Sequence, residues 1–142
     1  MANTTTEFEN RIEAAKSKEE LRKILDELPQ ITYGQRLCEL CEEYNLKLSQ
    51  VQKLSGITKS SFYWFVDGTR KPKKAHIIRI GVAMRLSVEH LNELLKLAKH
   101  KELYAKDKDD AIIIFGLKNN LSDIEISDLL IEEKSTFQLL EI

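Results

Sequence analysis

Residues 48–68 read LSQVQKLSGITKSSFYWFVDG, a stretch that sorts its side chains into two sets. Val51, Ile57, Phe62 and Phe65 are apolar where two short helices would have to face each other and a core. Thr58, Lys59, Ser60, Ser61, Tyr63 and Trp64 lie between them and are left for the outer face. Gly56 stands at the junction, where a left-handed residue lets the second helix swing off sharply at no steric cost. Such a pair predicts a nucleic-acid contact, with the N-terminal half of the second helix entering the major groove. Its unpaired backbone N–H groups and the positive end of its dipole favour a nearby phosphate.

Other chemistries fit less well. Cys38 and Cys41 form a C-x-x-C at helical spacing, but a zinc site needs about four ligands. No second Cys pair exists, and His76, His90 and His100 are scattered downstream. The βαβ setting of a thioredoxin-like motif is also missing, so the pair reads as two reduced thiols on a helix, a redox sensor being the lesser alternative. There is no nucleophile elbow, P-loop or H-E-x-x-H, and the chain reads as a non-enzyme with no cofactor. Glu42 and Glu43 read as a solvated helix face.

Charge supports a nucleic-acid reading. The 142 residues carry a net charge of −1, which conceals a basic middle. Residues 34–98 hold 11 Lys/Arg against 6 Asp/Glu, residues 1–33 hold 5 against 7, and residues 99–142 hold 6 against 10. A basic centre between acidic ends is the footprint expected of a nucleic-acid face flanked by solvated or interaction elements. No run of apolar residues is long enough for a membrane span, and Met1 to Glu9 lack the basic start and apolar stretch of a secretory signal, so a cytoplasmic location is expected.

The elements that must position this stretch are helical throughout, since Leu, Ile and charged residues dominate while Gly and Pro are scarce. Thr6-x-x-Glu9 and Ser17-x-x-Glu20 match capping boxes, each followed by helical periodicity (Phe8, Ile12, Ala15; Leu21, Ile24, Leu25, Leu28). Residues 7–28 therefore read as one or two amphipathic helices closed by Pro29. Leu37, Leu40, Cys41 and Tyr44 mark the next helix, ended at Asn45. Leu48 to Ser55 follows, with Val51 and Leu54 inward, then Ser60 to Val66 behind Thr58 as N-cap. Thr69 to Lys74 reads as a basic loop; Ile77, Ile80, Ala83 and Met84 mark a fourth helix; Ser87 caps a fifth bearing Leu91, Leu94, Leu95 and Ala98. In the acidic remainder, Ile112–Phe115 fits a buried strand or a helix, and Asp107, Asp109 and Asp110 tilt the reading to a helix starting at Asp107. Ser122-x-x-Glu125 opens a last helix, and the apolar end (Phe137, Leu139, Leu140, Ile142) is expected to dock.

Taken together, residues 33–98 resemble the phage-repressor-like (Cro/Xre-type) helix-turn-helix family. The resemblance rests on L-x-x-L-C at 37–41, Ser55-Gly56-Ile57-Thr58-x-Ser60 and Gly68-Thr69-Arg70-Lys71-Pro72, and continues through Ile77-x-x-Ile80 and Leu86-Ser87-Val88 to Leu94-Leu95. It implies a five-helix lambda-repressor-like DNA-binding domain at 33–98, flanked by helical extensions at 1–32 and 99–142. It implies that Lys59, Ser60 and Trp64 read base edges, that Thr58, Ser61 and Tyr63 touch phosphates or flanking bases, and that Arg70 and Lys71 meet the backbone, with Lys73 and Lys74 adding to them. Physically, a lysine can donate to guanine O6 and N7, and each cation on a phosphate steepens the salt dependence. Double-stranded DNA and a second copy of the chain are the implied partners, the extensions being candidates for the dimer contact or for a protein partner.

Three positions depart from the family pattern. Leu48 replaces the Gln that usually contacts phosphate, Gln52 replaces the small residue at the helix crossing, and Val66 replaces an acidic residue. A long Gln at a close crossing must point outward or push the helices apart. Tyr63 and Trp64, if exposed, suit thymine methyls or a protein hot spot equally, and Trp64 could instead fold back over the core. The leading expectation is a sequence-specific transcriptional regulator. The alternative is a protein-interaction module, or an antitoxin-like protein holding a partner, built on the same scaffold.

Overall fold

The computed structural model describes residues 5–28 and 31–140, and every regular element among them is a helix. The expected stop at Pro29 and the docking of Ile142 lie outside the described residues. Two compact units divide at residues 31 and 32.

The first unit is a pair of helices, α1 (Thr5–Ala14) and α2 (Lys18–Glu27). Ser17 caps α2 as expected, accepting from the Glu20 N–H at 3.1 Å. The Glu20 carboxylate reaches back one residue further than a capping box does, to the Lys16 N–H at 2.7 Å. Thr6 does not cap at all: α1 has already begun there. Arg11 of α1 pairs with Glu27 of α2. Of the apolar stripe on these helices only Ile24 is buried, while Ile12, Leu21 and Leu25 remain exposed.

The second unit holds α3 (Tyr33–Glu43), α4 (Leu48–Ser55), α5 (Lys59–Asp67), α6 (Lys74–Met84), α7 (Val88–Leu97), α8 (Lys108–Lys118) and α9 (Asp123–Glu132). Five of the seven begin at a side-chain cap: Thr32 accepts from the Gln35 N–H, Thr58 from Ser61, Ser87 from His90, Asp107 from Asp110 and Ser122 from Glu125, whereas α4 and α6 start behind Lys47 and Lys73, whose side chains accept no capping bond. Such caps contribute about 1 kcal/mol each. The ends are equally local. Asn45, Gly56, Gly68, Arg85 and Asn120 all take a positive φ, the turn that lets one helix stop and the chain leave at an angle.

One core joins the whole second unit. Leu37 and Leu40 of α3, Phe62 of α5, Ile77 and Ile80 of α6 and Leu91, Leu94 and Leu95 of α7 are fully buried together. Residues after 98 extend that same core through Ile113, Ile126 and Leu139. The ambiguous run Ile112–Phe115 is helical, because the capped acidic turn Asp107–Asp110 starts α8 directly before it. α3 and α7 are also tied by charge. Arg36 Nε meets Glu93 at 2.7 Å and its Nη1 meets Glu43 at 3.2 Å, so Glu43 is part of a bridge rather than a freely solvated residue. The Glu93 bond, aided by Glu43, raises the Arg36 pKa further still. The Tyr44 hydroxyl lies 2.7 Å from His90 Nδ1 and accepts from the Ser87 N–H at 3.3 Å. Cys41 is buried and Cys38 half-buried, both as free thiols, and burial followed by the neighbouring Cys38 pushes the Cys41 thiol up to about 11. Among the described residues no helix is long and apolar enough to cross a membrane.

Candidate nucleic-acid interface

α4 and α5 meet at a turn that is bonded from three sides. Gly56 has φ +71°, and its N–H reaches the Lys53 carbonyl at 3.2 Å. Gln52 neither points outward nor forces the helices apart; its Nε2 donates across the turn to the Ile57 carbonyl at 2.6 Å. Ser55, buried, donates to the Gln52 carbonyl at 2.8 Å and accepts from the Ile57 N–H at 3.3 Å. From α6, Arg79 Nε donates to the Ser55 carbonyl at 3.1 Å. Buried backbone polar groups need partners, and here side chains supply what the broken helix cannot. The inward position expected for Leu54 is wrong: Leu54 is 60% exposed, and Ser55 takes the buried place one residue on. With Val51 as the inward anchor, a helical step of about 100° per residue puts the position four on from it, not three, over the α6 side.

α5 stands on the core by Phe62 and Phe65, both buried. Its first turn faces outward. Thr58 and Lys59 and Ser60 are exposed and Ser61 is half-buried. The Thr58 hydroxyl takes the Ser61 N–H at 3.4 Å, which leaves the N–H groups of Lys59 and Ser60 as orphan donors at the positive end of the helix. Tyr63 and Trp64 are half-buried. Tyr63 lies edge-on to Phe62 with centroids 5.4 Å apart and packs against the core. Trp64 neither stands bare nor sinks into the core, because the Arg70 guanidinium covers its ring at 4.0 Å.

That cover follows from the loop after α5. Gly68 has φ +87°, the Asp67 carboxylate accepts from the Thr69 N–H at 2.8 Å, and the Arg70 N–H donates to the Trp64 carbonyl at 3.2 Å. The chain therefore folds back along α5. The bonds to Thr69 hold the Asp67 carboxyl below its ordinary range. Lys71 and Lys73 are exposed, while Pro72 between them is buried, with its carbonyl 2.8 Å from His100 Nε2. Thr58, Lys59, Ser60, Ser61, Trp64 and Arg70 thus gather on α5 and the loop folded against it. Lys74 is drawn elsewhere. It opens α6 instead of ending the loop, and its Nζ sits 2.6 Å from Asp110, a buried carboxylate that also accepts from the Tyr104 N–H at 2.9 Å. Residues 44–79 carry eight Lys/Arg and one acid, Asp67.

The three departures find places as well. Leu48 and Val66 pack against the core. Val66 also explains Gly34: a Cβ there would lie 1.8 Å from the Val66 carbonyl oxygen, so α3 and α5 approach as closely as backbones allow. Arg79, Gln52, His100 and Asp110 were missed as contributors. Each acts through a contact made distant in sequence or across a turn, and no spacing rule marks it. Neither a protein-family model, nor a curated protein, nor a solved structure matches the chain.

Proposed function

We propose that this chain is a sequence-specific DNA-binding regulator of the phage-repressor type, with α4 and α5 as its helix-turn-helix within a lambda-repressor-like set of helices α3–α7. The observation that carries the reading is the exposed first turn of α5, where Lys59, Ser60 and two orphan N–H groups stand beside a loop that brings Arg70 onto Trp64. Lys59, Ser60 and Trp64 read base edges. Thr58, Ser61, Arg70, Lys71 and Lys73 hold phosphates. Tyr63 serves mainly as packing, and Lys74 as an anchor for the loop. The protein acts as a homodimer on paired half-sites, a role for which the exposed Phe115, Ile124 and Ile131 of α8 and α9 offer apolar surface.

Selection from a random duplex pool at several salt concentrations tests this. One enriched motif is expected, with log affinity falling by about 0.9 per phosphate contact for each unit of log salt. Binding should be lost when Lys59→Ala and Arg70→Ala are combined. Feeble, sequence-blind binding in every pool would sink the regulator.

A further inference from the structure

Behind the α4–α5 turn lies a cleft of about 390 Å³, within the range of roughly 300–1,000 Å³ typical of small-molecule sites. Thr58 and Ser61 form one wall, at the positive end of α5; His76 and Arg79 of α6 form the other, and Leu140 closes a side. No carboxylate lines it among the described residues. Arg79 is half-buried, and among the described residues its one side-chain hydrogen bond is from Nε to the Ser55 carbonyl. No ion pair among the described residues compensates it. Arg36, the other half-buried arginine of this unit with an inward-held guanidinium, meets three carboxylates. Gly56 completes the space: a Cβ there would come within 2.9 Å of Arg79 Nη2.

We infer that this cleft binds a phosphate group, gripped by the Arg79 fork and by the Thr58 and Ser61 hydroxyls. A planar guanidinium with its Nη groups unspent matches two phosphate oxygens at once. Thr58 already accepts the Ser61 N–H, which leaves its O–H to donate to a third oxygen. The helix dipole adds to the attraction. The phosphate comes either from a DNA backbone or from a small phosphorylated molecule. The site shares Thr58 and Ser61 with the DNA-binding reading but needs no duplex, so the two can fail separately.

The test is NMR on the full chain with ¹⁵N-labelled arginine and backbone, titrated with inorganic phosphate against chloride at equal ionic strength. The Arg79 Nε–H signal and the Lys59 and Ser61 amides should move together on one saturable curve. Ser61→Ala, which keeps the Arg79 brace, should weaken that binding severalfold, and Arg79→Gln should weaken it about tenfold or more. If free phosphate is silent but duplex DNA moves the same signals, and Arg79→Gln lowers the salt slope by about one, the phosphate belongs to DNA. Shifts that never saturate, or that spread evenly over every basic residue, overturn the site, as does silence in both titrations. Should Arg79→Gln fail to fold, the wild-type signals and Ser61→Ala still decide.

Discussion

The second unit contains two helix pairs built on one plan and wired oppositely. In α4–α5 and in α8–α9 a left-handed residue, Gly56 or Asn120, ends the first helix, and a hydroxyl, Thr58 or Ser122, caps the second. The difference begins in the next three residues. α9 starts Asp123-Ile124-Glu125, and the Glu125 carboxylate bonds back to the Ser122 N–H at 3.2 Å. Its positive end is neutralised by its own chain. α5 starts Lys59-Ser60-Ser61, with no acid to do this. A stable helix start prefers acidic residues in the first turn. A first turn that puts a lysine there gives up a few tenths of a kcal/mol of stability and keeps the site open for a foreign anion.

Glycine substitutions should give the sharpest contrast, between the seat of α5 on α3 and the α8–α9 pair. Gly34→Ala drives a methyl into the Val66 carbonyl at 1.8 Å, backbone against backbone, so α3 or α5 must move. A loss of about 3 kcal/mol or more is expected in urea denaturation. Gly116→Ala on α8 meets only the Ile126 side chain, at 2.5 and 2.6 Å, which can rotate aside at about 1 kcal/mol. Equal losses would mean that the α3–α5 contact is looser than described.

Charge reversal is the functional counterpart. Lys59→Glu places an acid where α9 already has one, and should lower duplex affinity about a hundredfold in fluorescence anisotropy at low salt. Lys118→Glu, at the end of α8, changes net charge equally and should change affinity less than threefold. If the two variants fall together, overall charge governs binding and α5 has no special place. The thermal midpoint should move the other way, rising slightly for Lys59→Glu, because the new carboxylate relieves the helix start.

The two left-handed turns give a smaller contrast. Gly56→Ala forces a β-carbon into φ +71° and toward Arg79 Nη2, and should lose about 1–2 kcal/mol. Asn120→Gly relieves a φ of +54° and should be neutral or gain a few tenths of a kcal/mol. A loss at Asn120 in the same urea titration would show that its side chain holds the α8–α9 turn.

What the sequence made legible was whatever is local. Ser17, Thr58, Ser87 and Ser122 cap where their spacing says, and Gly56 turns where its freedom says, because each depends on three or four neighbouring residues. The span Leu48–Ser55 needed nothing more. Leu54 was misread because a leucine three residues on from Val51 looks like core, while the helical step puts Ser55, four on, in the buried place. Lys74 was misplaced for a similar reason. In the sequence it closes a basic run, and only folding brings Asp110 to it from 36 residues away. The extension's membership of the core was equally hidden, since periodicity tells which face is apolar and not what covers it.

Gln52 shows the limit of substitution logic at such a site. Judged by size alone, it should open the crossing between α4 and α5. Judged by its amide, it replaces close packing with a hydrogen bond to the Ile57 carbonyl, so the turn is held by a polar strut rather than by contact. The pair α8–α9 makes the same kind of turn by close packing, with Gly116 set against Ile126. Gln52→Ala should therefore lose about 1 kcal/mol in place of the gain expected if a small residue were preferred there. Amide exchange at Ile57 and Thr58 should rise with it, while exchange at Leu121 and Ser122 stays unchanged. A stabilised Gln52→Ala would show that the crossing tolerates the glutamine without using it.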